Sequence, residues 1–211
     1  SRARSCACVS LSKPVSNYTA LQPAPDDYHL INGRLDHTFS TKHSIFGSYT
    51  NYTNDLIEYP IAGNPTIPDF AVDGHIYSQL FALSDVYTLT STIVNEFRIG
   101  FNRLSRIRDP LTYKGRYANE ELGIGGTIAD RFPITRGVPY IDITGIERIG
   151  DNTNIPQHNF NQAYTIVDNM SIQRGSHALK LGFDYYKKGQ NTIFITNPRG
   201  RMNFSGNVTS Y

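Results

Sequence analysis

The chain has 211 residues, a formal net charge of +2 and 39% hydrophobic residues, below the usual globular share. Lysine and arginine are scattered, with no run longer than Lys187-Lys188, which argues against a nucleic-acid partner and its clustered basic face. No stretch approaches the roughly 20 apolar residues of a membrane helix, which excludes a helical span and leaves short, alternating membrane strands open.

Taken in chain order, the first segment is unlike the rest. Ser1–Ser16 carries no apolar stretch of the signal-peptide kind, so an exported protein would be represented here by a mature fragment or an incomplete gene product. Residues 1–26 read as a disordered or artefactual tail. Cys6 and Cys8 stand one residue apart, badly placed for a mutual disulfide and without the partners of a zinc site.

Beyond the tail, alternation with period two dominates and helix signals are nearly absent. In Leu30–Phe39, the residues Ile31, Gly33, Leu35, His37 and Phe39 oppose Asn32, Arg34, Asp36 and Thr38. Ser44–Tyr52 follows after a turn at Ser40–His43 and completes a first hairpin, near 30–52. A long irregular stretch, 53–75, comes next. Ile76–Leu89, the turn Thr90–Thr92 and Ile93–Asn102 form a second hairpin, near 76–102, in which Ile93, Phe97, Ile99 and Phe101 oppose Glu96 and Arg98. The longest irregular stretch, 103–158, is rich in Pro, Gly, Asn and Asp. Asn159–Ile172, the turn Gln173–Ser176 and His177–Tyr186 form a third hairpin, near 159–186. There Leu179, Leu181, Phe183 and Tyr185 oppose Lys180 and Asp184. Another irregular stretch is expected from about Lys187. Asp85 and Asp168 blur the faces of the two leading strands in which they lie.

The expected fold is therefore all-β: an antiparallel meander of about six strands in three hairpins. Its connections alternate short and long, as outer-membrane barrels alternate short periplasmic turns with long extracellular loops. In hydrocarbon every backbone N–H and C=O must be paired within the protein, so a sheet there must close on itself. On that reading Ile31, Leu35, Phe39, Ile93, Phe97, Ile99, Phe101, Leu179, Leu181 and Phe183 face lipid. Arg34, Asp36, Glu96, Arg98, Lys180 and Asp184 face a wet lumen, as a transport path or as ordinary polar residues pairing across strands. A soluble or surface-attached all-β binding or adhesin module would produce similar alternation, because a sandwich also has one buried and one solvated face.

Several phrases, in order, point further. Asn32-Gly33-Arg34-Leu35-Asp36-His37-Thr38-Phe39-Ser40 leads into Lys42-His43-Ser44-Ile45-Phe46-Gly47-Ser48-Tyr49. Phe81-Ala82-Leu83-Ser84-Asp85 leads into Val94-Asn95-Glu96-Phe97-Arg98-Ile99-Gly100-Phe101-Asn102-Arg103. Later come Leu122-Gly123-Ile124, Ile143-Thr144-Gly145, Asp168-Asn169-Met170-Ser171 and Gly175-Ser176-His177-Ala178-Leu179-Lys180-Leu181-Gly182-Phe183-Asp184-Tyr185. From about Asp27 to Phe204 this succession resembles the barrel portion of Oar-like TonB-dependent outer-membrane receptors. The resemblance implies a transmembrane barrel of about 22 strands, of which this chain supplies a part. It also implies an internal plug, energy from the TonB complex through segments beyond those seen here, and capture of an extracellular ligand. Outer-membrane lipid and the remainder of the barrel and plug are the implied partners, and a Gram-negative outer membrane the implied location.

The remaining motifs carry little chemistry. None of the histidines (His29, His37, His43, His75, His158, His177) forms a metal pair at four-residue spacing. His37 and His177 read as membrane-edge residues near tight turns. Gly123-Ile124-Gly125-Gly126 lacks the following Lys-Ser/Thr of a phosphate loop. Asp151-Asn152-Thr153-Asn154 lacks the glycine and glutamate of a calcium loop. No Gly-x-Ser-x-Gly elbow occurs, so the chain is not expected to be an enzyme, and no cofactor or metal is expected. Tyr49, Tyr52, Tyr77, Tyr87, Tyr185 and Tyr186 fall near strand ends, as an aromatic girdle or as plain strand formers.

Overall fold

A computed structural model describes residues 21, 23–59, 70–114, 123, 132, 135–145 and 148–205. The tail with Cys6 and Cys8, and all of the Gly123–Gly126 motif but its first residue, lie outside the described residues. Six long strands make one antiparallel sheet: β1 (Asp26–Ser40), β2 (His43–Glu58), β3 (Val72–Thr90), β4 (Ile93–Pro110), β6 (Gln157–Arg174) and β7 (His177–Phe194). The short β5 (Tyr140–Ile143) and β8 (Arg201–Phe204) pair with each other in parallel. The main sheet is a plain meander in the order β1-β2-β3-β4-β6-β7.

Two kinds of tight turn close its hairpins. Between β1 and β2, and between β3 and β4, a register shift is capped by a hydroxyl. Ser40 Oγ accepts the Lys42 N–H at 3.2 Å, and Thr90 Oγ1 accepts the Thr92 N–H at 3.3 Å. Between β6 and β7 the register is unbroken up to Arg174 opposite His177, and Gly175 takes a left-handed φ of 59°. Such a conformation suits the primed two-residue turns that match strand twist. All these turns lie on one rim. The strand ends joined by 59–71 and by 111–156, and the end of β7 at Phe194, lie on the other.

The strands run further than the alternation suggests. β4, β6 and β7 each have 18 residues, and β3 has 19. A tilted membrane crossing needs about 9–11. The additional residues lie at the long-connection rim, where polar groups occupy both faces, as in Thr53-Asn54-Asp55 and Lys187-Lys188-Gly189-Gln190. Hydropathy alternation ends there while backbone pairing continues. The connections between the long strands are accordingly 59–71 and 111–156, not 53–75 and 103–158, and β7 continues to Phe194 where a loop was expected from Lys187.

The sheet is a single layer. Among the described residues the only buried hydrophobic side chains are Ala71, Val72, Tyr140 and Ile155, all at the long-connection rim. Leu35 is 77% exposed and Phe183 61% exposed. The extensive contacts of each long strand are with its sheet neighbours. A sandwich would place a second sheet about 10 Å away over the apolar face. Among the described residues no such layer lies over that face.

Candidate functional site

Cross-strand register assigns each side chain to a face, because partners in adjacent strands point the same way. Asp36 pairs through Phe46 and Ser84 to Arg98, and on through Val167 to Asp184. Arg34, Glu96 and Lys180 share that face. Ile31, Leu35, Phe39, Ile93, Phe97, Ile99, Phe101, Leu179, Leu181 and Phe183 share the other.

The polar face carries an ordered set of charges. Arg34 grips Asp36 with two hydrogen bonds of 2.8 and 2.6 Å, and its guanidinium lies 4.0 Å from the centre of the Phe46 ring. Glu96 and Arg98 repeat the arrangement two residues apart on β4, with Arg98 Nε donating at 2.8 Å. Lys180 and Asp184, four residues apart on β7, are not brought together. Towards the long-connection rim, Glu58 accepts from Arg106 at 3.3 Å and also from Arg108, which reaches Gln157 at 3.1 Å. The sequence reading missed this group, because all three charged residues fell in stretches read as irregular. The parity of Arg98 continued along β4 to Arg106 and Arg108 was the available signal. Between the charges lies a hollow of about 400 Å³, opened by Gly100 and Ala163 and walled by Leu80, Asn102, Asn161 and Tyr186.

The apolar face has two acids in it, which resolves the faces of their strands. Asp85 lies between Ile45 and Phe97, and Asp168 between Phe97 and Phe183. Each has a partner on the side of the tight turns. His43 Nε2 lies 2.7 Å from Asp85, and Asn95 donates to Asp168 at 2.7 Å. Around His43 a ring cluster forms, stacked on Phe39 at 4.8 Å and edge-on to Tyr87 at 5.0 Å. His37 meets Phe39 edge-on at 4.4 Å, close to the turn as expected. At the opposite rim His75 pairs with Asp55 at 2.6 Å, and His158 with Asp109 at 2.9 Å. No His/Cys/Asp/Glu cluster among the described residues is able to hold a metal ion.

Described parts of the 111–156 connection and of the chain after β7 fold into a cap around a buried ion pair. The side chains of Asp151 and Arg199 are 0% and 2% exposed, with Nε and Oδ2 3.5 Å apart. The Thr112 hydroxyl and the Val138 N–H donate to the same oxygen at 2.6 and 2.7 Å. Arg199 also donates to the carbonyls of Asn152 at 2.7 Å, Ile155 at 2.9 Å and Arg136 at 3.3 Å. Burial raises the Asp151 carboxyl above its ordinary range, and the Arg199 charge and the two donors offset that only in part. Burial likewise lowers the Arg199 guanidinium against the pull of Asp151. Gly150, at φ 102°, lets the chain pass against Pro139, where a Cβ would overlap the carbonyl. The Asp151–Asn154 segment is thus a structural corner: Asp151 serves Arg199, and Asn152 Oδ1 accepts the Asn154 N–H at 2.8 Å.

A long, single-layer antiparallel sheet with one apolar and one charged face, short turns on one rim and long excursions on the other, defines the β-barrel class of membrane protein. Residues 6–211 match the outer membrane beta barrel domain family, and the chain belongs to that family. Its place is the outer membrane. No curated protein matches the chain.

Proposed function

We propose that this chain forms part of the wall of a TonB-dependent receptor barrel of the Oar-like kind, in a Gram-negative cell. The face bearing Arg34, Asp36, Glu96, Arg98, Lys180 and Asp184 lines the lumen, and the face bearing Leu35, Phe97, Ile99, Leu181 and Phe183 meets lipid. The long-connection rim lies outside the cell, where its cap contacts the incoming ligand. The lumen passes that ligand in steps driven by TonB acting on an internal plug. The wall itself performs no bond chemistry and holds no cofactor.

The observation that carries this reading is the division of faces within one unlayered sheet. The apolar side chains have no protein to cover them among the described residues, and burying one such side chain is worth about 1.5–3 kcal/mol. Lipid supplies that cover. The TonB-dependent part rests on the ordered phrases from Asn32 to Tyr185.

Two measurements on the complete barrel protein in cells test the two parts. A bilayer-restricted photoprobe is expected to label cysteines placed at Phe97, Ile99 and Leu181 and to spare those placed at Arg98 and Lys180; the opposite pattern removes the wall assignment. Cross-linking to the periplasmic domain of TonB is expected to capture the complete protein. A barrel that assembles and is never captured by TonB is a passive pore or a structural barrel instead.

A further inference from the structure

The apolar face does not end abruptly at the long-connection rim. Three successive rows of it, from Gly33–Lys187 through Ile31–Gly189 to His29–Asn191, hold no carboxylate. They hold tyrosines, amides and two cations instead. Gln79 donates to the Tyr49 hydroxyl at 2.7 Å and Asn51 at 3.4 Å, a mixed polar and aromatic border of the kind that suits a membrane interface. Acids return only beyond it, at Asp27 and Asp55.

Within this border lies a hollow of about 500 Å³, lined mostly from this face by Arg103, Phe160, Gln162, Gly189 and Asn191, with one row of the polar face completing it. Register puts Arg103, Gln162 and Gly189 in one row, and Phe160 and Asn191 in the next, all on the apolar face. Gly189 opens it, since a Cβ there would crowd the Gln162 side chain at 3.3 Å. Lys187 stands one row nearer the apolar band, opposite Tyr164. Arg103 and Lys187 are exposed and have no ion-pair or hydrogen-bond partner among the described residues, unlike Arg34, Arg98, Arg106 and Arg108 on the other face. Strand geometry sets their Cα atoms roughly 12 Å apart, a span that two long cationic side chains close around one phosphate.

We propose that this hollow is a docking site for the phosphorylated headgroup of an outer-leaflet lipid, with Arg103 and Lys187 as the anion clamp. Gln162, Asn191 and the Tyr164 hydroxyl supply neutral hydrogen bonds, and the acyl chains run down the apolar band past Phe101 and Ile99. The proposal rests on the outward orientation of that face given under Proposed function. It adds the class of lipid the wall selects. A phosphate is favoured because the border offers two free cations and no competing carboxylate, and a basic group near a membrane surface attracts anionic lipid measurably.

The test uses the complete barrel in phosphatidylcholine bilayers doped with spin-labelled phosphatidic acid, compared with spin-labelled phosphatidylcholine, reading the motionally restricted fraction beside the protein. Preference for the phosphate lipid is expected to fall roughly fivefold for Arg103→Gln or Lys187→Gln, and further for the double variant. Arg103→Lys is expected to retain most of it. Lys188→Gln, one residue away on the opposite face, is expected to leave it unchanged. Sheet circular dichroism confirms that each variant has assembled. Preference unchanged in the double variant overturns the docking site while leaving the orientation intact. Loss with Lys188→Gln and none with Lys187→Gln overturns the orientation itself, and the site with it.

Discussion

The sheet and its cap solve the same problem in opposite media. In the sheet, six strands leave Leu35, Phe183 and their neighbours exposed and gather almost no core, while every strand is paired along its length. In the cap, strands of four residues contribute little, and order comes from Ile155, Pro139, Pro156 and a buried charge pair closed off from water. The sheet is specified by backbone pairing and by which face meets which solvent. The cap is specified by a few side chains that fit only one way. A change to one surface residue of the sheet should therefore matter according to its face, and a change in the cap according to its burial.

The largest effect is expected in the cap. Arg199→Met leaves Asp151 buried beside two donors with no countercharge, and breaking such a pair costs about 3–5 kcal/mol. The expected outcome is local: the segments 135–156 and 195–204 lose hydrogen-exchange protection together, while β3, β4 and β6 keep theirs. Gly150→Ala is expected to open the same segments, because the new methyl overlaps the Pro139 carbonyl. Loss of protection in only one of the two segments would show that they are not one unit.

Next is the contrast between faces. Ile99→Arg places a charge in the apolar band and is expected to lower the stability of the complete barrel by about 2–4 kcal/mol in lipid. Asn102→Arg, three residues along β4 on the polar face, is expected to change it by less than about 0.5 kcal/mol. Denaturant unfolding in bilayers measures both, and equal costs would erase the distinction between the faces.

The division of faces was legible in the sequence because each hairpin holds at least one strand with strict alternation. Parity alone placed Arg34 with Asp36 and Glu96 with Arg98. Asp85 and Asp168 obscured their own strands, since an acid on an apolar face mimics a change of parity; their partners His43 and Asn95 come from neighbouring strands. The strand ends near Thr53, Arg106 and Lys187 were illegible for a different reason. Both faces there are polar, so hydropathy no longer reports the pleat, although backbone pairing holds it. The cap was not legible at all. β5 meets β8 in parallel across the whole of β6 and β7, and Asp151 meets Arg199 across the same two strands. No local pattern encodes a contact of that kind.

A smaller effect is expected from pH in the cap. Burial holds the Asp151 carboxyl above its unfolded value of 3.8. Between 3.8 and that raised folded value, the folded cap binds more protons than the unfolded one. This group therefore makes the cap less stable as pH rises through that window, and its cost is fully present above it. Arg199→Met removes the charge that holds the carboxyl down, so the window widens upwards. Acidification is expected to restore part of the lost protection in that variant and to change the parent cap less. Exchange rates of residues 135–156 followed downwards from neutral pH measure this, and protection that falls with acid in the Arg199→Met variant would contradict it.

The smallest effect is expected at the turn of the third hairpin. Gly175 and Gly150 both have left-handed φ, at 59° and 102°, but a Cβ at Gly175 would meet nothing within 4 Å. Gly175→Ala therefore incurs the backbone term alone, about 1–2 kcal/mol, and no overlap. The β6–β7 pairing that flanks the turn extends through Gln157 opposite Phe194, so the register is over-determined and is expected to survive. A modest fall in barrel stability with unchanged cross-linking of cysteines placed at Ile172 and Leu179 is the predicted result. If that pair stops cross-linking, the turn and not the length of the ladder sets the register. The sheet would then depend on single residues in the way the cap does.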